Sequence, residues 1–294
     1  MRTCITEFCT EYEYPAEAQE LLLSVCDRIE QTEAIRGIFT RAAEEYEGNP
    51  HINYGAYLGS LKAACEKEKV SWESASLLFF ICLTPGLARH YARSGLPGVL
   101  CRACLEDLKW KLKECRQVYG VWGSFVPDWF EGFFRLTRFT FGRLQFELLP
   151  FPGNYAGAGR GKPEADRVIN IHIPSSGPLF HEECLRSYRL AADFFGDKFP
   201  GGECVFFCDS WLLYPRHREF LPADSRILQF MGDFEIYTFA EDPRGGDLWR
   251  IFGLADCSGY AKLPEKTSLQ RSYKKWLLAG GKPGTGSGIF RIKK

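Results

Sequence analysis

The hydrophobic period of this chain changes near residue 125, and that change limits the possible folds more than any other feature. Between residues 17 and 120, apolar residues recur at the three- and four-residue spacing of amphipathic helices. Further along, segments such as Arg143–Leu148 and Val168–Ile173 alternate polar and apolar residues, which is typical of half-buried strands. We therefore predict an all-helical domain over residues 1–124, followed by an α/β domain over residues 125–294 in which helices flank a sheet.

Individual elements follow from the same patterns together with Gly and Pro breaks. In the first half, one helix is predicted around Leu77–Leu83, ending near Pro85, and another over Cys101–Tyr119. The second half is predicted to contain strands at Arg143–Leu148, Val168–Ile173, Cys204–Cys208, Arg226–Met231, Phe234–Phe239, Leu248–Phe252 and Gly288–Ile292, a helix around Cys184–Phe195, and a last helix that is capped by Thr267 or Ser268 and ended by Gly280.

Charge and hydropathy exclude several classes of function. The 37 basic and 37 acidic side chains cancel, so no net field attracts nucleic acid or anionic lipid, and we expect neither as a partner. The longest apolar run, Ala75–Leu83, is far too short to span a membrane. Residues 1–20 contain no apolar core of a secretory signal. We therefore expect a cytoplasmic protein with reduced cysteines, of undetermined oligomeric state.

Cys101 and Cys104 have the spacing of half a zinc site, but their surroundings favour a different interpretation. They share one helical face with Leu105, Leu108 and Leu112, and a buried cysteine packs as a small apolar residue. No second C-x-x-C pair occurs, and none of the five histidines lies at zinc-finger spacing from these thiols. Core packing is therefore favoured over a metal or redox role, and no metal site is predicted.

Two segments are candidates for binding phosphate. Gly157–Lys162 is glycine-rich, but Pro163 follows it where a nucleotide-binding loop would begin a helix, so a simple loop is favoured there. Pro174–Gly177 links a predicted strand to a predicted helix, an arrangement that offers free backbone N–H groups to an anion. Because Glu182 and Glu183 lie in the first turn of that helix and repel an anion, a plain structural turn is the alternative.

Five titratable side chains are candidates for catalytic or binding roles. Asp209 directly follows an apolar strand, where desolvation raises a carboxyl pKa, and the alternative is that it caps the following turn. His172 lies on the polar side of its strand and is either a base or a hydrogen-bonded structural residue. Glu147 is either a surface carboxylate or an anchor for a substrate amine. Tyr214 and Tyr237 are candidates to protonate a leaving thiolate.

Several stretches together resemble a specific family. They are Phe141–Glu147 (FGRLQFE), Ile171–Leu179 (IHIPSSGPL), Cys208–Leu213 (CDSWLL), Leu221–Ile227 (LPADSRI) and Leu263–Arg271 (LPEKTSLQR), preceded by Leu83–Tyr91 (LTPGLARHY), Gly95–Pro97 and Asp107–Trp110. In order and spacing they are similar to bacterial acyltransferase-domain proteins, in which a helical N-acyltransferase N-terminal domain precedes a GNAT-like C-terminal domain. The resemblance spans residues 20–292 and implies a GNAT-like mixed central sheet with flanking helices.

The resemblance also implies roles for particular residues. Acyl-CoA would bind through the backbone of Ile171 and Ile173 and through the loop at Ser175, Ser176 and Gly177. The catalytic residues would be drawn from Asp209, Glu147 and His172, with Trp211 and Tyr214 contacting the acceptor. Trp122 and Trp129 of the helical half would line the same cleft.

Two positions depart from the pattern of the family. The loop reads Pro-Ser-Ser-Gly-Pro instead of Arg/Gln-x-x-Gly-x-Gly/Ala, and Asp209 stands where the resemblance leads us to expect His. Both departures lie at positions to which the resemblance assigns binding or catalysis.

Two functions are consistent with these observations. The first is an N-acyltransferase that moves an acyl group from acetyl-CoA or another acyl-CoA to an amine of a small molecule or peptide, without a metal. The second is a degenerate acyltransferase fold that binds a ligand or protein without catalysis. The first requires that the strands around His172 and Phe206 diverge and expose main-chain amides.

Overall fold

The computed structural model of the protein describes residues 1–153, 155 and 166–293. Gly157–Lys162, the glycine-rich stretch considered above, lies outside the described residues. The chain forms two compact units, Met1–Phe139 and Thr140–Lys294, here called the helical unit and the sheet unit. None of the helices within the described ranges combines the length and the apolar character that crossing a membrane requires.

The helical unit is built from amphipathic helices, as the period of its apolar residues predicts. Its helices are α1 (Arg2–Glu11), α2 (Ala16–Gln31), α3 (Glu33–Gly48), α4 (Tyr54–Glu68), α5 (Trp72–Arg93), α6 (Gly98–Tyr119) and α7 (Glu131–Phe134), with a 3₁₀ turn at Pro127–Phe130. Cys104 is fully buried and Cys101 nearly so, both on α6. The prediction that these cysteines pack in the core is therefore confirmed.

Helix α5 does not end near Pro85 as predicted; it continues to Arg93. A proline inside a helix leaves the carbonyl four residues earlier without its helical donor. Here the Ile81 carbonyl accepts instead from the Thr84 hydroxyl at 2.8 Å and the Cys4 thiol at 3.6 Å. Replacement donors thus reduce the cost of Pro85, and the helix runs through it.

Residues 125–139 pack within the helical unit, whereas the sequence analysis placed the domain boundary at 124/125. Phe130 and Phe134 are fully buried, and their rings lie 5.2 and 5.0 Å from the ring of Phe80 on α5. Aromatic packing of this kind binds a short segment to the core that it covers. The division between the units accordingly follows Phe139.

The sheet unit contains a six-stranded mixed sheet in the order β1-β2-β3-β4-β6-β5. The strands are β1 (Arg138–Phe141, which spans the division between the units), β2 (Leu144–Pro150), β3 (Arg167–His172), β4 (Glu203–Ser210), β5 (Glu235–Glu241) and β6 (Gly284–Lys293). The helices are α8 (His181–Phe195), α9 (Arg226–Gly232), α10 (Leu248–Phe252) and α11 (Ser268–Leu278). The predicted α/β class is confirmed.

Helix α8 covers one face of the sheet through aromatic contacts. On that face Phe206 of β4 stacks on Phe290 of β6, with ring centroids 4.8 Å apart and planes nearly parallel. Tyr188 of α8 lies 4.7 Å from Phe290 and 5.9 Å from Phe206. These contacts establish which strand residues face the helix and which face away.

Two predicted strands are wrong, since Arg226–Gly232 and Leu248–Phe252 are helices. Their buried residues recur at i, i+3 and i+4, as in Leu248, Ile251 and Phe252, which is the spacing of a helical stripe. The Ser225 hydroxyl also accepts a hydrogen bond from the Ile227 amide at the start of α9. In short apolar runs the helical and strand periods are hard to separate.

The predicted start of the last helix is confirmed by a capping box. The Thr267 hydroxyl accepts from the Gln270 amide at 3.1 Å, and the Gln270 side-chain oxygen accepts from the Thr267 amide at 3.2 Å. Each partner satisfies a backbone donor that the first turn of a helix leaves unpaired.

Replacing the capping hydroxyl tests this arrangement. We expect Thr267→Ala to lower the free energy of unfolding by about 1 kcal/mol, because an N-cap oxygen is lost. Thr267→Ser keeps the oxygen and should remain within a few tenths of a kcal/mol of the unmodified chain. Urea unfolding measures both, and equal stability of the Ala and Ser variants would contradict the assignment.

Candidate functional site

The parallel ladder between β3 and β4 is short. Among the described residues, these strands share only two registered pairs, Ile169↔Phe206 and Asn170↔Phe207. Strand β2 pairs with β3 as far as His172, and β4 pairs with β6 as far as Ser210. Both strands therefore continue beyond the point where their common ladder ends, as the hypothesis of divergence requires.

The registered pairing of β3 with β4 ends at Asn170, before the end of β3. Ile171 and His172 pair with β2, but neither is registered with β4 in the described part of the chain. Backbone N–H and C=O groups in such a position need another partner, which can be solvent or an extended ligand. Ile171 and Ile173, which the sequence analysis assigned to the cofactor, lie at this point.

The face of the sheet that points away from α8 is polar. Side chains alternate along a strand, and residues directly opposite each other on neighbouring strands share a face. Since Phe206 faces α8, Asn170 faces away, together with its cross-strand partner Glu147 and with His172. Asp209 and its partner Ser287 lie on the same face. The three predicted catalytic side chains therefore share one face of the sheet.

Glu147 and His172 form a close pair on that face. His172 Nε2 lies 2.6 Å from Glu147 Oε1, and both side chains are mostly buried. The side-chain nitrogen of Asn170 lies 3.0 Å from His172 Nε2 and 3.5 Å from Glu147 Oε1. An N–H at Nε2 that donates to a carboxylate leaves Nδ1 with the lone pair of the neutral ring. This arrangement suits a histidine that accepts a proton at Nδ1.

Asp209 belongs to a second polar group, with Ser287 and Tyr237. The Ser287 hydroxyl donates to Asp209 Oδ2 at 2.6 Å, and Tyr237 is hydrogen-bonded to Ser287. Asp209 is exposed, so the burial that the sequence analysis assumed is absent. Burial and the Asp209 charge raise the pKa of Tyr237. The phenol therefore keeps its proton at neutral pH.

The loop after β3 carries the other predicted cofactor residues. Ser175 and Gly177 are exposed and Ser176 is half-buried. Gly177 has φ +124°, a backbone conformation that other residues rarely adopt. Helix α8 begins shortly afterwards, at His181. The loop thus links a strand to a helix, as predicted, and the first turn of that helix carries Glu182 and Glu183. Anion binding at this loop stays a prediction.

A link at the start of α8 has no counterpart among the sequence predictions. His181 Nε2 lies 2.7 Å from Asp233 Oδ1, and the Tyr188 hydroxyl donates to Asp233 Oδ2 at 3.1 Å. Burial, followed by the Asp233 charge, raises the pKa of Tyr188. Asp233 follows α9 directly, so it connects the ends of two helices. No local pattern could reveal it, because its partners lie far away in the sequence.

Trp211 and Tyr214, the predicted acceptor-binding residues, lie in an aromatic cluster around His217. Tyr214 is fully buried, which favours a packing role over contact with an acceptor. Trp211 is half-buried, 5.8 Å from the His217 ring and 6.2 Å from the Tyr273 ring. His217 Nε2 lies 2.6 Å from the Tyr273 hydroxyl.

In the helical unit, the two predicted cleft tryptophans stack with arginines. The guanidinium of Arg138 lies 3.8 Å from the Trp129 ring, and that of Arg116 lies 5.2 Å from the Trp122 ring. Their contact with an acceptor stays a prediction.

The helical unit also has a cavity of about 340 Å³, which no predicted site residue lines. Within the described ranges, no three His, Cys, Asp or Glu side chains converge as a metal ion would require.

Burial of His217 predicts a pH-dependent stability. Desolvation lowers its pKa from 6.5 to about 4, so between these values the unfolded chain binds a proton that the folded chain does not. The contribution of His217 to the free energy of unfolding is therefore fully present above pH 6.5. It falls as the pH drops towards 4, by up to about 1.4 kcal/mol per pH unit.

The variant His217→Gln should remove this contribution to the slope of unfolding free energy against pH. The exposed His51 supplies a control variant, His51→Gln, compared over the same range. Equal slopes for the His217→Gln variant and the unmodified chain would contradict the assignment.

Comparison with known proteins agrees with this architecture. The family of the GNAT-like C-terminal domain matches residues 138–290, and that of the N-acyltransferase N-terminal domain matches residues 4–136. No curated protein sequence matches the chain significantly.

Solved structures of acyltransferases share the fold. One, in complex with decanoyl-CoA, has a TM-score of 0.75 and 23% identity, with 98% of this chain and 86% of that chain covered. Another, with decanoyl-CoA and teicoplanin, has a TM-score of 0.71 and 22% identity, covering 98% and 87%. A mutant acyltransferase with octanoyl-CoA has a TM-score of 0.71 and 21% identity, also covering 98% and 87%. At such identities the likeness establishes the fold.

Proposed function

The chain belongs to the family that joins an N-acyltransferase N-terminal domain to a GNAT-like C-terminal domain, and we propose that it transfers an acyl group from acyl-CoA to an amine. The observation that carries the proposal is the early end of the ladder between β3 and β4, directly before a loop and a helix N-terminus. A thioester carrier needs a narrow slot for its arm and an anion site for its diphosphate. The early end of the ladder supports the first, and the loop before α8 supports the second.

The donor would bind as an extended ligand along β3. The pantetheine arm carries two amides, and it can hydrogen-bond to the main chain near Ile171 and Ile173 much as an added strand would. The diphosphate would lie at Ser175, Ser176 and Gly177, before the N-terminus of α8. Solved structures of similar fold contain octanoyl- and decanoyl-CoA, which supports an acyl-CoA as donor.

The acceptor is proposed to be a primary or secondary amine of a small molecule. One structure of similar fold contains teicoplanin besides its acyl-CoA, which supports a small-molecule acceptor. A cytoplasmic location fits a chain whose twelve cysteines are thiols, since reducing compartments disfavour disulfides.

The chemistry follows from the polar face of the sheet. The amine nitrogen attacks the thioester carbonyl, and His172, oriented by Glu147, accepts the proton that the nitrogen loses. When the tetrahedral intermediate collapses, the C–S bond breaks and the leaving thiolate takes a proton. Tyr237 can supply it, because its raised pKa keeps the phenol protonated. The exposed carboxylate of Asp209 is a second acceptor for the amine proton on the same face.

Calorimetric titration with octanoyl-CoA and acetyl-CoA tests donor binding. We expect one molecule to bind per chain, with coenzyme A alone retaining most of the affinity, because the arm and diphosphate supply the contacts. S-octanoyl-N-acetylcysteamine, which lacks the diphosphate, should bind far more weakly. An absence of heat at millimolar concentration would contradict the proposal. Binding without turnover of any amine in a broad panel would favour a non-catalytic binding module.

Variants of the polar face test the catalytic assignment. We expect His172→Gln to lower kcat by about 10²-fold or more, with unchanged affinity for acyl-CoA. Release of coenzyme A should be followed chromatographically, since a thiol dye would also react with the cysteines of the chain. Asp209→Asn provides the matched comparison on the same face. A kcat that falls with Asp209→Asn and not with His172→Gln would assign the base to Asp209 instead.

A further inference from the structure

Arg143 connects three parts of the sheet unit. It lies in the turn between β1 and β2, and its backbone N–H donates to the Ser187 hydroxyl of α8 at 2.8 Å. Its side chain reaches the loop after β3, where Nη2 donates to the Gly177 carbonyl at 2.7 Å and Nε to the Pro178 carbonyl at 3.0 Å. One residue thus holds the turn, the loop and the helix together.

The turn packs closely against α8. Gly142, directly before Arg143, has φ +61°, and a Cβ atom at this position would lie 2.8 Å from the Ser187 hydroxyl oxygen. That hydroxyl in turn donates to the Glu183 carbonyl at 2.7 Å. A side chain at position 142 would push the turn away from the helix. The backbone of Arg143 is therefore held in place against α8, and its side chain reaches the loop from that position.

The contacts with the loop have a direct electrostatic consequence. In a trans peptide the C=O and N–H groups point in opposite directions. Because Arg143 binds the Pro178 carbonyl, the Leu179 N–H points away from the guanidinium. The Gly177 carbonyl precedes a proline, so its peptide offers no N–H. Both carbonyl oxygens, which would repel a phosphate, are thus engaged by a cation.

Arg143 also retains an unused donor. Its Nη1 atom is buried and has no hydrogen-bond partner among the described residues. Burial lowers the pKa of Arg143, while the charge of Glu183 acts in the opposite direction. A buried, unsatisfied donor on a cation is costly. Such a cost usually has an explanation in function or in a missing ligand.

Resting on the function proposed above, we propose that Arg143 is a positioning residue for the diphosphate of acyl-CoA. It holds the Gly177 and Pro178 carbonyls away from the diphosphate and adds a positive charge next to the loop. In a glycine-rich loop, the backbone conformation itself orients the peptides. In the loop Pro-Ser-Ser-Gly-Pro, the contacts with Arg143 orient them instead, so the loop can bind a diphosphate with fewer glycines. The role is separate from that of the polar face, where the chemistry takes place.

The test compares two donors on variants of Arg143. Octanoyl-CoA contains the diphosphate, and S-octanoyl-pantetheine lacks it while keeping the arm and the thioester. With Arg143→Met we expect KM for octanoyl-CoA to rise about tenfold, with kcat within about twofold and KM for S-octanoyl-pantetheine unchanged. Arg143→Lys keeps the charge but cannot form the forked contact with two carbonyls, so it should show most of the same rise.

A matched control is available in the same unit. Arg271 also donates to two loop carbonyls, those of Glu265 at 3.0 Å and Lys266 at 3.5 Å. Arg271→Met should leave KM for both donors unchanged. If Arg143→Met does not fold, as judged by its unfolding transition, Arg143→Lys carries the comparison, because it keeps the aliphatic stem and the charge.

The outcomes separate the two proposals. If the unmodified protein binds no acyl-CoA, the proposed function fails and the role of Arg143 fails with it. If the unmodified protein binds octanoyl-CoA and the Arg143 variants match it, the positioning role alone is overturned. An equal rise in KM for both donors would also overturn the positioning role. Such a result would mean that Arg143 supports the structure in general and has no specific effect on the diphosphate.

Discussion

The structure depends on how its central strands share their main-chain hydrogen bonds. Strand β4 pairs with β6 along its whole length, whereas its ladder with β3 ends after Asn170 and Phe207. Backbone groups in a sheet are normally paired, and a central strand that gives up its neighbour leaves donors and acceptors that something else must satisfy. A ligand with its own alternating amides is well matched to such a gap. The proposed binding of the donor arm therefore rests on where the strand pairing ends.

Because side chains alternate along each strand, the polar residues of this sheet lie on the face opposite the aromatic residues. Phe206, Phe290 and Tyr188 form the packed face, and the opposite face carries Glu147, His172 and Asp209. The aromatic face packs the strands against α8. The polar face carries the residues that we propose for proton transfer. At the loop after β3, a third requirement is met by Arg143, which engages two carbonyl oxygens that would otherwise repel an anion. The packed face, the residues proposed for proton transfer and the loop proposed for anion binding thus lie in different parts of the sheet unit.

Much of this arrangement could be predicted from sequence, and the failures have physical reasons. Alternation predicted β2 and β3, and an all-apolar run predicted β4, because long strands carry a clear period. Arg226–Met231 and Leu248–Phe252 were predicted as strands because a few apolar residues fit either period, but the packing of their buried residues matches helices. The end predicted for α5 was wrong because nearby Thr84 and Cys4 donors compensate for Pro85. Alternation also predicted that His172 lies on the polar side of its strand. The contact between His172 and Glu147 could not be predicted, because it depends on the register of two strands. Arg143 was assigned to an alternating strand and to a stretch that resembles the family, but neither pattern indicates its contacts with Gly177 and Pro178, which depend on the tertiary fold.

Hydrogen–deuterium exchange reports on main-chain amides. It therefore tests directly whether the arm of acyl-CoA binds along the main chain at the end of β3. The account predicts that saturating octanoyl-CoA slows exchange in peptides covering residues 168–180, at the end of β3 and in the following loop, while peptides from α2 and α3 in the helical unit are unaffected. Slower exchange in the loop without any change at Ile171–Ile173 would contradict it. In that case the diphosphate would bind, but the gap between the strands would not receive the arm of the donor.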